Sequence, residues 1–155
     1  MHPSAANVAA ELTRNEVPGQ ITELPAPAPT AATAAAQLGC EVGAIANSLV
    51  FNADGEPLLI LTSGAHRVDT AAVAAQLGVA SVRRADPEFV RSSTGQAIGG
   101  VAPVGHPQRI RTLVDRWLQR YDVVWAAAGR PDAVFPITPV RLAELSGARV
   151  EDLAL

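Results

Sequence analysis

The sequence predicts an α+β fold: one curved, barrel-like sheet with helices outside it. Three observations carry that expectation. Strand-like and helix-like segments are mixed along the chain without regular βαβ alternation. Two apolar, strand-forming runs flank Asn52–Glu56, "NADGE", whose Asp-Gly pair marks a tight antiparallel hairpin. Helix start signals recur at Thr30, Asp69, Asp86-Pro87 and Thr138-Pro139.

Taken in order, Ala5–Arg14 reads as a short helix, and the Pro/Ala string "LPAPAPT" from Leu24 to Thr30 as an extended connector. Thr30 caps a helix over Ala31–Leu38 that Gly39 stops in the left-handed conformation. The hairpin strands are Ala44–Phe51 and Pro57–Thr62. The loop "SGAHR" leads to Asp69, cap of a helix over Thr70–Leu77 that Gly78 ends. "SVRRA" is a short strand, and Asp86 with Pro87 opens a helix that Gly95 closes. From Arg109 to Tyr121 the apolar residues Ile110, Leu113, Val114, Trp117, Leu118 and Tyr121 fall at helical spacing, which predicts an amphipathic helix. "VVWAAAG" is a buried strand, "VFPIT" a strand with an edge proline, and the last helix runs from Pro139 to Gly147. The phrase "AAQLG" occurs at Ala35–Gly39 and Ala74–Gly78, where it marks two helix ends and no repeat architecture.

With 155 residues, 48% of them hydrophobic and 17% charged, the chain has the apolar content of a single globular domain. Its apolar runs fall well short of the ~20 residues that span a bilayer. Met1–Arg14 has neither the cationic start nor the apolar core of a signal peptide, so a cytoplasmic protein is expected. One cysteine, Cys40, allows no internal disulfide framework. His2, His66 and His106 lack metal-ligand spacing, so neither metal nor cofactor is expected. The formal net charge of -3 argues against broad coating of DNA or RNA, and any nucleic-acid contact must be local. All 12 basic residues are arginine, which excludes a lysine nucleophile, a Schiff base and a P-loop lysine.

Several segments could carry chemistry. Asn47, inside the strand-like "AIANSLVF", is poor strand material; it is either a satisfied core amide or it faces a pocket. The segment Ser93–Gly105, "STGQAIGGVAPVG", could bring backbone groups close to a ligand or simply turn between helices, but it is neither a Walker A loop nor a dinucleotide fingerprint. Ser63, His66 and Asp69 suggest a hydrolytic triad, yet they share one loop without a nucleophile-elbow context, and a turn into a capped helix is the better reading. His106 either reaches a ligand held by the glycine loop or caps the following helix, and the cap is preferred. Arg109, Arg116 and Arg120 would form one helix stripe able to touch phosphates, although a solvated face is the commoner outcome.

The phrases "GAIANSLVF", "LLILTSGAHRVD", "GGVAP" at Gly99–Pro103, "VWAAAG" and "VFPITPVRLAEL" stand in the order and at the intervals of the YbaK/prolyl-tRNA synthetase editing-domain superfamily, which the chain resembles from about residue 5 to residue 150. The resemblance implies a mixed, barrel-like sheet surrounded by helices, and a freestanding deacylase that hydrolyses mischarged aminoacyl-tRNA in trans. It implies the aminoacyl-tRNA 3′ end as substrate, an aminoacyl-tRNA synthetase as a further partner, and no membrane or DNA. By the same resemblance Gly99, Gly100 and Pro103 shape the aminoacyl pocket, and Ala127, Ala128 and Gly129 form another wall. Asn47 and Gly129 would stand at the reacting ester, with Ser48, Gly64, His66 and His106 among the substrate contacts. An aminoacyl ester is already activated, so a positioned water and backbone donors can suffice.

Relatives with deacylase activity resemble "VKTLVF" or "VKSLVF" at the first phrase, so Asn47 takes the place of a lysine that meets the tRNA end. Losing such a charge-assisted contact costs about 1.5–3 kcal/mol. Two other readings follow: a catalytically silent module that binds aminoacyl-tRNA or a synthetase, and a hydrolase of another activated ester or amide. The many small residues around the presumed pocket suit a small amino acid such as alanine, serine or cysteine.

Overall fold

The computed structural model describes residues 8, 10, 12–13, 21–28, 30–96, 101–106, 110–130, 132–147 and 149–151. Residues 8, 10, 12 and 13 are helical, as expected for the first segment; the remainder of that segment, like Gly99, Gly100 and Arg109, lies outside the described residues. Among the described residues four helices follow: α1 (Ala31–Leu38), α2 (Thr70–Leu77), α3 (Pro87–Thr94) and α4 (Pro139–Ser146). Each starts where a side-chain oxygen accepts a backbone N–H of the first turn, from Thr30, Asp69, Asp86 and Thr138. Each ends on a left-handed glycine: Gly39, Gly78, Gly95 and Gly147. Among the described residues no helix is long and apolar enough to cross a membrane.

The strands are β1 (Thr22–Glu23), β2 (Ile45–Ala53), β3 (Glu56–Ser63), β4 (Val82–Arg84), β5 (Arg111–Asp115), β6 (Val124–Arg130), β7 (Ala133–Ile137) and β8 (Arg149–Glu151). They form one mixed sheet in the order β1-β7-β6-β2-β3-β5-β8, with β4 branching from β2. The helices surround this sheet, as the α+β reading expects. The β2–β3 hairpin turns on Asp54 and Gly55, at φ 52° and 91°, so both central residues are left-handed as a primed turn requires. Gly55 N donates to Asn52 Oδ1 at 2.6 Å and pins the turn. The Asp54 carboxylate also accepts from Ala80 N (2.8 Å), Ser81 N (3.0 Å) and Ser81 Oγ (3.2 Å), tying the hairpin tip to the residues that lead into β4. The Ala80 and Ser81 N–H groups hold its carboxyl below the usual carboxylate range.

Strand β3 is apolar on both faces. Leu59 and Leu61 join a core with Ala46, Val50, Val114, Leu118 and Leu142. Leu58 and Ile60 point to the other side, against Phe51, Leu113 and Val73 of α2. Complete burial of each such side chain stabilises by about 1.5–3 kcal/mol. A third cluster packs Ala34 and Ala35 of α1 on Ile45, Leu24 and Val134. The string after Leu24 is held to α1 by Gln37, whose amide bonds both the N–H and the carbonyl of Ala26 at 3.1 Å.

Two expectations are corrected. The helix expected over Arg109–Tyr121 does not form among its described residues, from Ile110 on: Arg111–Asp115 is a strand and Arg116–Arg120 a short 3-10 turn. The apolar spacing suits a helix, but tertiary pairing overrides it, because β5 lies parallel between β3 and β8 and buries Thr112, Leu113 and Val114 in succession. With that helix gone, so are the arginine stripe and the helix that His106 was to cap. The second correction concerns the ends of the sheet: β1 falls in a passage expected to be irregular, and β8 follows the last helix where no strand was expected.

Candidate functional site

The site begins with an interruption in pairing. On its β3 side, β2 is matched residue for residue from Ala46↔Ser63 to Ala53↔Glu56. On its other side, β6 pairs only Ile45 and Ala46, while β4 pairs only Phe51, Asn52 and Ala53. The sheet forks between them. Val50 still gives its carbonyl to Ala85 N at 3.3 Å, and by strand alternation the main-chain groups of Ser48 point the same way, into the fork. Among the described residues this stretch of strand edge is unpaired, and such an edge offers N–H and C=O groups to a ligand.

Around the fork runs a cleft of about 940 Å³, lined by Asn47, Ser48, Gly64, His66, Arg67, Arg84, Val101, Trp125 and Ala127 among others. Asn47 is therefore at an opening and not in dry interior: it is half-buried, and among the described residues its amide takes no hydrogen bond. Ser48 Oγ is enclosed and, among the described residues, without a partner. Arg84 stands over the Phe51 ring at 5.8 Å, and among the described residues neither Arg67 nor Arg84 has an acidic partner. A smaller cavity of about 600 Å³, lined by residues including Pro57, Leu77, Ser92 and Arg111, lies away from these groups.

His66 is held by a residue outside the expected site. Its Nδ1 donates to Asp115 Oδ2 at 2.8 Å, and its ring meets Trp117 edge-on at 4.8 Å between centroids. Asp115, 1% exposed, also accepts from Ser63 N and Trp117 N, each at 3.0 Å. His66 is thereby fixed through Nδ1, and among the described residues its Nε2 takes no hydrogen bond. Arg120 stacks on the Trp117 ring at 3.6 Å. The Ser63–His66–Asp69 grouping does not form: Ser63 Oγ donates to Gly43 O, and Asp69 caps α2. Gly64 lines the cleft, and a Cβ there would meet the Val42 carbonyl and lie 2.7 Å from Ala31 Cβ, so its bare backbone lets α1 close against the loop.

The glycine-rich segment is organised by Gln96, 1% exposed, which composition did not single out. Gln96 Oε1 accepts from Ala102 N at 2.7 Å, and Nε2 donates to Val104 O at 3.1 Å. This clamp presents Val101 to the cleft, while Pro103 is buried behind it. His106 Nε2 donates to Ala102 O at 2.8 Å, away from the cleft lining, and burial lowers its pKa. Ala128 is fully buried, and Gly129, at φ 95°, forms the bulge between Ala127 and Arg130 where the β6–β7 register shifts. Of that wall, Ala127 reaches the cleft.

A family model described as an aminoacyl-tRNA editing domain matches residues 25–145. An uncharacterized Bacillus subtilis protein, YwhH, is 30% identical over 131 residues, covering 84% of this chain and 83% of its own. The proline--tRNA ligase of Nitratidesulfovibrio vulgaris strain DP4 is 33% identical over 126 residues, which is 75% of this chain but 22% of the ligase. A crystal structure described as a candidate trans-editing enzyme for prolyl tRNA synthetase matches with a TM-score of 0.91 at 42% identity, covering 100% of this chain and 99% of that one.

Proposed function

The chain belongs to the aminoacyl-tRNA editing domain family, and from that premise we propose that it is a freestanding deacylase that hydrolyses mischarged aminoacyl-tRNA in the cytoplasm, in the service of a synthetase. The observation that carries this reading is the fork in β2, where Asn47, the Ser48 main chain, Arg67 and Arg84 meet one cleft. The 3′ end of tRNA brings phosphates, a ribose and an ester to such an opening. Arg67 and Arg84 supply the positive charge that Asn47 lacks. Asn47 orients the ribose end, and the Ser48 N–H is a donor for the oxyanion that develops at the ester carbonyl. Val101, held by the Gln96 clamp, and Ala127 form apolar walls for a small amino-acid side chain. His66 Nε2 contacts the substrate from the Gly64 side. The test is release of an amino acid from a panel of mischarged tRNAs; the panel left intact at high protein concentration ends the proposal.

The neutral Asn47 favours one second reading, a silent module that binds aminoacyl-tRNA or a synthetase. Asn47→Lys separates the two. Hydrolysis gained by the variant, from an inactive parent, marks a disabled site with intact walls. Hydrolysis lost from an active parent marks an amide suited to its own substrate.

A further inference from the structure

Thr62 of β3 carries a buried hydroxyl beside the strand that borders the cleft. It is 1% exposed, yet among the described residues its Oγ1 has no hydrogen-bond partner. Buried side-chain oxygens are nearly always paired, and an exception calls for a water, an ion or a ligand. Its cross-strand neighbour is Asn47, directly opposite in the β2–β3 register and on the same face of the sheet. Directly opposed side chains have Cβ atoms about 5 Å apart, within reach of one bridging water. Two neutral polar groups without partners, one buried and one at the cleft, thus face each other across a single step of the ladder. Neither favours an anion, and both suit a molecule that donates and accepts hydrogen bonds.

We propose that Thr62 Oγ1 and Asn47 Oδ1 hold the hydrolytic water on the floor of the cleft, with Thr62 as its buried anchor. This rests on the deacylase reading above. With its two hydrogens given to these acceptors, the water keeps a lone pair for the ester. Its oxygen bonds to the carbonyl carbon, and the bond from that carbon to the ribose oxygen then breaks. The departing oxygen keeps the bonding electrons and takes one of the water's protons. The products are the free amino acid, whose acid proton goes to solvent, and an intact ribose hydroxyl. Thr62 and Asn47 remain neutral throughout.

The variants are Thr62→Val, which keeps shape and removes only the hydroxyl, and Thr62→Ser, which restores it. Thr62→Val melts close to the wild-type temperature, because the hydroxyl it removes bonds a water and no group of the described residues. Its kcat on a mischarged tRNA falls roughly tenfold, as for one lost hydrogen bond to the reacting water, while KM holds; Thr62→Ser recovers most of the rate. A high-resolution crystal structure of the wild type shows a water between Thr62 and Asn47, absent in Thr62→Val. Wild-type turnover with Thr62→Val equally fast, or a wild-type crystal without that water, overturns this inference and leaves the deacylase reading standing. No turnover by the wild type on any mischarged tRNA overturns both.

Discussion

The two edges of β2 differ although they belong to the same nine residues. Toward β3 every position from Ala46 to Ala53 has a partner, and the strands bury Leu58–Leu61 between two cores. Toward β6 and β4, among the described residues, only the ends are paired, and the middle is left to the cleft. One edge carries cohesion and the other access. That division explains how an asparagine is tolerated mid-strand: its amide meets the cleft where pairing stops.

The closed edge is the more sensitive of the two to substitution. Asp115→Ala removes the acceptor for Ser63 N, His66 Nδ1 and Trp117 N, and strands buried donors at the end of β3. The expected loss is about 3 kcal/mol or more, a fall of roughly 6–12 °C in Tm, read by thermal denaturation. Next, Gln96→Leu frees Ala102 N and Val104 O and costs about 2 kcal/mol; it also releases Val101, so deacylation drops beyond what the lost stability explains. A pH series sharpens the contrast. Burial lowers the His106 pKa, so the unfolded chain takes up the proton more readily than the folded one. Stability from this residue is complete above the ordinary imidazole value of about 6.5 and is lost as pH falls below it, and His106→Gln flattens that slope in melting curves. On the open edge, Asn47→Ala changes unfolding free energy by no more than about 0.5 kcal/mol, while deacylation slows roughly tenfold. Equal damage to stability and rate would erase the distinction between the edges.

What could be read from residues alone follows the range of the interaction involved. The Asp54-Gly55 turn and the caps at Thr30, Asp69, Asp86 and Thr138 are local, satisfied within three or four residues, and were legible. The Ile110–Tyr121 stretch was not, because its apolar spacing suits a helix while its partners in β3 and β8 are distant in the chain. The site divides in the same way. Asn47 stood out as an amide in a strand, and His66 lay in a suggestive loop. Asp115, which fixes His66 from 49 residues away, carried no local mark, and neither did Gln96 as a clamp or Thr62 as an orphan. These depend on register and burial, which emerge only once the strands are assembled.

Hairpin tips ordinarily tolerate inserted residues. The tip at Asp54 and Gly55 is an exception, since its carboxylate grips Ala80 and Ser81 and so sets where β4 departs from β2. A lengthened loop there, remote from any reacting atom, would release the lower jaw of the fork and alter the gauge of what it admits.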